Sequence, residues 1–114
     1  MSAKFIMLPA ASGSFVLDAE RIVSARAVDG GTRIVLLTGV AIDVAAKVER
    51  VRDIAGCLHM EAISDGTTAY FNHRHLEFAS VKDGETLLVF VGPASVRVPE
   101  DQAETLVQLL SDLG

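Results

Sequence analysis

Few residues in this chain have the chemistry for a reactive or binding site, and they are scattered. Cys57, its one cysteine, lies two positions before His59, and His73 and His75 follow close together. Soft ligands of these types hold zinc when about four converge. His73 and His75 share a face if their segment is extended, because alternate side chains of a strand point the same way. Cys57 and His59 add only a short pair near the middle of the chain, so the ligand count falls short. Solvated strand-edge residues are the plainer reading, and no metal is expected. Cys57 follows Gly56 at the end of a predicted helix, the wrong end for lowering a thiol pKa. No base is fixed beside it, so an inert thiol is expected. The carboxylates offer no pair recognisable as acid and base. Gly30-Gly31 fits neither phosphate-loop nor dinucleotide spacing and sits in a predicted hairpin turn. No catalytic residue and no cofactor are expected, and the chain reads as a non-enzyme.

The arginines are the remaining candidates. Arg21, Arg26 and Arg33 lie on or beside one predicted hairpin, and Arg74 and Arg97 lie in the second half. Guanidinium groups on one sheet face can grip phosphate or carboxylate through two parallel hydrogen bonds. The competing reading pairs them with Asp18, Glu20, Asp43 or Glu77, which is what single surface charges usually do. The formal net charge is −5. Residues 1–57 hold seven Lys and Arg against six Asp and Glu, and residues 58–114 hold three against nine. An acidic total argues against a nucleic-acid partner, whose affinity rests on neutralising phosphates, although the first half leaves room for a local basic patch.

One cysteine permits no intrachain disulfide and suits a reducing compartment. The apolar run at residues 5–8 is too short for a secretion signal and is broken by Pro9. No run approaches the roughly 18 apolar residues of a membrane span. A cytoplasmic protein of bacterial or phage origin is expected, without a membrane partner.

The elements that must position these residues are written twice. A shift of 54 positions lays Ile22 on Leu76, Asp29-Gly30 on Asp83-Gly84, Thr32 on Thr86, and Ile42 and Val44 on Val96 and Val98. Agreement of apolar and turn positions at one offset is the mark of an internal repeat. Strands are predicted over 4–8, 15–17, 21–28, 33–38 and 40–44, and again over 58–63, 69–71, 76–82, 86–91 and 94–98. The Asp-Gly pairs mark tight hairpins, and Gly39 and Gly92-Pro93 mark further turns. Each unit closes with a helix. Val48, Val51, Ile54 and Ala55 form an apolar stripe that Gly56 terminates. In the second unit Pro99 suits the first helical position, and Ala103, Leu106, Val107, Leu110 and Leu113 form the predicted buried stripe.

The first unit bears a family resemblance. Phe15-Val16-Leu17-Asp18-Ala19-Glu20-Arg21-Ile22, Asp29-Gly30-Gly31-Thr32-Arg33-Ile34, Thr38-Gly39 and Val48-Glu49-Arg50-Val51 together resemble the small flagellar and swarming-motility family FlbD. The resemblance spans residues 4–55 and, more faintly, 58–113. That family is a single short unit, whereas this chain is double. The resemblance carries over no catalytic residue.

The apolar runs Ile34–Leu37 and Leu87–Val91 do not alternate, although half-solvated antiparallel strands should. Such strands imply cover on both faces, and two short helices cannot supply it. Ile34, Leu36, Leu88 and Phe90 are therefore the candidate interface residues of a homo-oligomer. The expected fold class is α+β. It comprises two antiparallel meander-plus-helix units, 1–57 and 58–114, related by an approximate internal twofold and sharing one compact domain. The expected function is that of a small interaction or regulatory protein acting as a homo-oligomer, with a possible further protein partner. The alternative is a binder of a nucleotide or other small anion held by arginines between units or subunits.

Overall fold

In the computed structural model residues 4–64, 66–92 and 95–113 are described. A hairpin of β1 (Phe5–Pro9) and β2 (Ser14–Asp18) leads through a 3₁₀ turn, Ala19–Arg21, into the meander β3 (Ile22–Val28), β4 (Gly31–Leu36) and β5 (Ala41–Val44), and then α1 (Val48–Ala55). The same order follows again: β6 (Met60–Ser64), β7 (Thr67–Phe71), a second 3₁₀ turn His73–His75, β8 (Leu76–Lys82), β9 (Glu85–Phe90), β10 (Ser95–Val98) and α2 (Ala103–Leu113). Every strand pairing is antiparallel. The α+β class read from the sequence holds. Pro93 and Ala94, predicted to close a turn and open a strand, lie outside the described residues.

The strands form three sheets: β1-β2, β5-β4-β3-β7-β6 and β10-β9-β8. The largest is built from both halves, because β3 takes β7 as its second neighbour, with Ser24 opposite Phe71, Ala25 opposite Tyr70 and Arg26 opposite Ala69. In the second half, β8 stands in the place of β3 but ends its sheet with one neighbour, β9. Each of these two strands carries a register shift near its start, between Ile22 and Ser24 in β3 and between Leu76 and Phe78 in β8.

The five-stranded sheet is buried on both faces by the chain itself. One face, with Ile22, Ala25, Ile34 and Tyr70, belongs to a core with Leu8 and Leu17 of the first hairpin and Val48, Val51 and Ala55 of α1. The other face, with Val23, Met60, Ala69 and Phe71, packs in a second core with Leu88, Phe90 and Val98 of the three-stranded sheet and Leu106 of α2. The shift in β3 lets the consecutive Ile22 and Val23 both be fully buried, one in each core. Phe71 and Phe90 stack across the second core with ring centroids 5.5 Å apart, a contact that contributes about 1 kcal/mol beyond the area it buries.

This packing answers the apolar runs differently from the oligomer expected of them. Ile34, Leu88 and Phe90 are buried within the chain and Leu36 is half-buried against the first core. Strand β9 in fact alternates half-buried and buried positions along its length. The second-unit helix also differs from its prediction. It begins at Ala103, four residues after Pro99, because Thr86 and Asp101 hold the intervening segment: Gln102 N donates to Thr86 Oγ1 at 2.9 Å, and Ala103 N to Asp101 Oδ1 at 3.1 Å. Of its predicted stripe Leu106 is buried, Leu110 and Leu113 are half-buried, and Ala103 and Val107 are exposed. Helix α1 ends as expected, with Gly56 left-handed at φ 73° and its N–H on Arg52 O. Among the described residues no helix is long and apolar enough to cross a membrane.

Candidate functional site

The two 3₁₀ turns meet and form a rim where the halves join. Each is set by a short polar side chain just before it. Asp18 Oδ1 accepts from Glu20 N at 3.0 Å, and Asn72 Oδ1 accepts from Arg74 N at 3.1 Å. Asp and Asn favour such local bonds to backbone N–H groups two residues on. The turns are tied together by His75 Nε2, hydrogen-bonded to Glu20 O, and by Arg74, whose Nη1 lies 4.0 Å from Glu20 Oε2. Two connecting loops flank them: Leu37 N donates to Arg21 O at 3.0 Å, and Val91 N to His75 O at 2.7 Å. Those loops themselves touch, and a Cβ on Gly92, at φ +90°, would sit 2.4 Å from Leu37 O.

Cations and imidazoles collect here. The side chains of Arg21 and Arg74 are each 65% exposed, and Arg21 Nε lies 4.0 Å from Asp18 Oδ2. Lys4 Nζ donates to Ala55 O at 2.9 Å, at the negative end of α1. The rings of His59 and His73 stand 5.9 Å apart, tilted by 52°. Burial, followed by the positive charges of His59, Arg74 and His75, holds the His73 pKa below the usual imidazole value. Its Nδ1 is buried without a hydrogen-bond partner, as is Asn72 Nδ2 one residue earlier. Because Asn72 Oδ1 is already bound by Arg74 N–H, its amide nitrogen is left as an unmet donor.

The histidines are therefore placed otherwise than the sequence suggests. His73 and His75 do not share one strand face, because they lie in a 3₁₀ turn that Asn72 caps. Among the described residues no three His, Cys, Asp or Glu side chains converge as metal ligands. Cys57 Sγ donates to Ala19 O at 3.3 Å, and burial together with Glu20 pushes the thiol pKa up. A protonated thiol in that setting is a poor nucleophile.

The five candidate arginines are not assembled into one site. Arg21 and Arg74 reach the rim. Arg26 and Arg33 stand opposite each other in β3 and β4, and Arg33 forks onto Asp43 with Nε–Oδ1 at 2.9 Å and Nη2–Oδ2 at 3.2 Å. Arg97 lies in β10 with Nη1 3.3 Å from Glu85 Oε1. Sequence reasoning passed over Arg52, which lies over the Tyr70 ring at 4.9 Å and donates to its hydroxyl at 3.0 Å. It also passed over the rim as a unit. The available signal was the recurrence of Asp18 and Asn72, each two residues before a charged position, at the 54-residue offset.

No family model matches this chain, and no curated protein matches it. Its fold is similar to the solved LytTr DNA-binding domain of a response regulator from Bacillus cereus, with a TM-score of 0.66 and 13% identity over 96% of this chain and 98% of that one. The likeness overturns the FlbD resemblance, since the fold of the two halves together is similar to that of one solved domain along nearly its whole length, rather than to two copies of a short motility protein. The strand order gives the physical reason: β3 of the first half takes β7 of the second as a neighbour, so the first half is not a closed unit. The expectations of a protein-interaction homo-oligomer and of a small-anion binder are likewise set aside. The exclusion of nucleic acid fails too, because this fold is one that a DNA-binding domain adopts and the acidic total hides an uneven distribution of charge.

Proposed function

We propose that this chain is a non-enzymatic regulatory domain that binds duplex DNA, with the 3₁₀ rim as its docking edge. The observation that carries the reading is the likeness to a DNA-binding domain across nearly the whole chain. Charge orients the complex. Residues 99–114 hold Glu100, Asp101, Glu104 and Asp112 and no Lys or Arg, so the α2 end repels phosphate. The rim offers Arg21 and Arg74 on loop-like turns supported by sheets. Their side chains are 65% exposed and their guanidinium groups stand 4.0 Å from Asp18 and Glu20, a separation at which an ion pair contributes little in water, so either can turn to a phosphate. The acidic total then limits non-specific affinity without abolishing a local contact. This reading places the chain in the cytoplasm with DNA. The recurrence of elements supports units 1–57 and 58–114 as repeats related by an approximate internal twofold within one domain.

The test is selection from a random-sequence duplex pool, followed by anisotropy titration of the winners. Binding that weakens with salt is expected. The double substitution Arg21→Ala, Arg74→Ala should lower affinity at least tenfold and reduce the log–log salt slope by about 2, near 0.9 per lost phosphate contact. Absence of binding to every duplex at about 50 mM salt, where such contacts are strong, would reject the reading.

A further inference from the structure

The rim holds three groups, His59, His73 and Arg74, that cannot all be positive at low cost while the chain is alone. We propose that these residues form a phosphodiester seat, and that DNA docking there takes up protons, so that affinity rises on acidification; this rests on the DNA-binding reading above. The geometry is the argument. The imidazoles of His59 and His73 lie 5.9 Å apart, and Arg74 adjoins His73 in the same turn. His73 faces His59 from the segment joining α1 to β6, and Arg74 and His75 from its own turn. His75 is already committed to Glu20 O of the first turn. The carboxylates of that turn region, Glu20 and Asp18, stand 4.0 Å from Arg74 and Arg21.

Among the described residues no carboxylate offsets a positive charge on His73. Protonating His73 turns its buried Nδ1 into a donor that has no acceptor, beside a second buried donor, Asn72 Nδ2, in the same condition. Unmet buried donors are costly and, in a native chain, call for an explanation. A phosphate at the rim supplies the negative charge that these groups lack in the free chain. Its charge offsets the mutual repulsion of His59, His73 and Arg74 and favours the protonated rings. By linkage, a ligand that raises an imidazole pKa binds more tightly as pH falls between the free and bound values. Uptake of one proton gives a slope of about tenfold per pH unit within that window.

The experiment measures binding of a selected duplex at constant ionic strength from about pH 8 to about pH 6, bracketing the ordinary imidazole range. Wild type should gain about tenfold in affinity. His59→Asn, His73→Asn should lose most of the gain on acidification, read as the ratio of its affinities at the two ends of the range. Imidazole proton resonances of His73, followed by NMR, should titrate at higher pH with DNA than without it. Should the double variant unfold, His59→Gln alone and the wild-type resonances still decide the matter. An undiminished pH slope in the folded variants, or imidazole titrations unmoved by DNA, overturns the seat and leaves DNA binding standing. No DNA binding at any pH removes both.

Discussion

Thr32 and Thr86 occupy one structural role in the two halves. Each hydroxyl is fully buried and donates at 2.7 Å to a backbone carbonyl 14 residues further on, Ala46 O for Thr32 and Glu100 O for Thr86. Each thereby pins the chain that leaves a meander to the strand where the return began. Thr32→Val and Thr86→Val keep the shape and strand an inward carbonyl, which costs about 1–3 kcal/mol. Urea denaturation should show this for both. Thr86→Val also loses the bond from Gln102 N, so amide exchange in α2 should accelerate in that variant alone.

Gly31 has no room for a side chain. A Cβ there would lie 2.0 Å from Val44 O, where β4 and β5 pair and the chain turns toward α1. Gly31→Ala should destabilise by more than about 3 kcal/mol, because backbone must move. Gly30→Ala meets no neighbouring atom but must hold a φ of +82°, and should cost about 1 kcal/mol. Thermal melts of the two variants give the comparison, and equal losses would contradict the close approach.

The two halves should not unfold separately. Phe71 belongs to the second unit yet pairs with Ser24 of the first and stacks on Phe90. Phe71→Ala should cost about 3–5 kcal/mol and lower a single transition followed by both near- and far-ultraviolet dichroism. A fragment of residues 1–57 lacks β7, the second neighbour of β3, and should show no cooperative transition by itself.

Acid should weaken the fold through His73. Its folded pKa lies below the ordinary imidazole value near 6.5, so the unfolded chain binds the proton more readily. Stability is then complete above about 6.5 and falls as pH drops through the folded pKa. Denaturation midpoints of wild type and His73→Asn should keep a constant difference above that value, and below it wild type should lose more than the variant. Midpoints that decline in parallel would show that His73 is not the group responsible.

Much of the fold is legible in the sequence because its signals are local. The Asp83-Gly84 hairpin is one case. Both residues have positive φ, 54° and 78°, as the two-residue turn that suits strand twist requires. Gly56 as a helix stop is another. What stays hidden depends on distant partners. Nothing in Ala69-Tyr70-Phe71 announces that it will lie beside Ser24-Ala25-Arg26 rather than close off its own unit as β2 does. That choice covers Ile34, Leu88 and Phe90 from within. The site was obscured for a similar reason. Arg21, His59, His73 and Arg74 are unremarkable one by one, and only the meeting of two polar-capped 3₁₀ turns makes them neighbours.

The β3–β7 pairing also has a consequence in time. Ala25 meets Tyr70, 45 residues later in the chain. On a ribosome adding roughly 5–20 residues per second, β3 therefore waits some seconds for its second neighbour. For that interval the nascent chain exposes an apolar strand edge, the kind of surface that invites pairing with the wrong chain. Synonymous slowing of translation through residues 26–70 should therefore raise the insoluble share of the product.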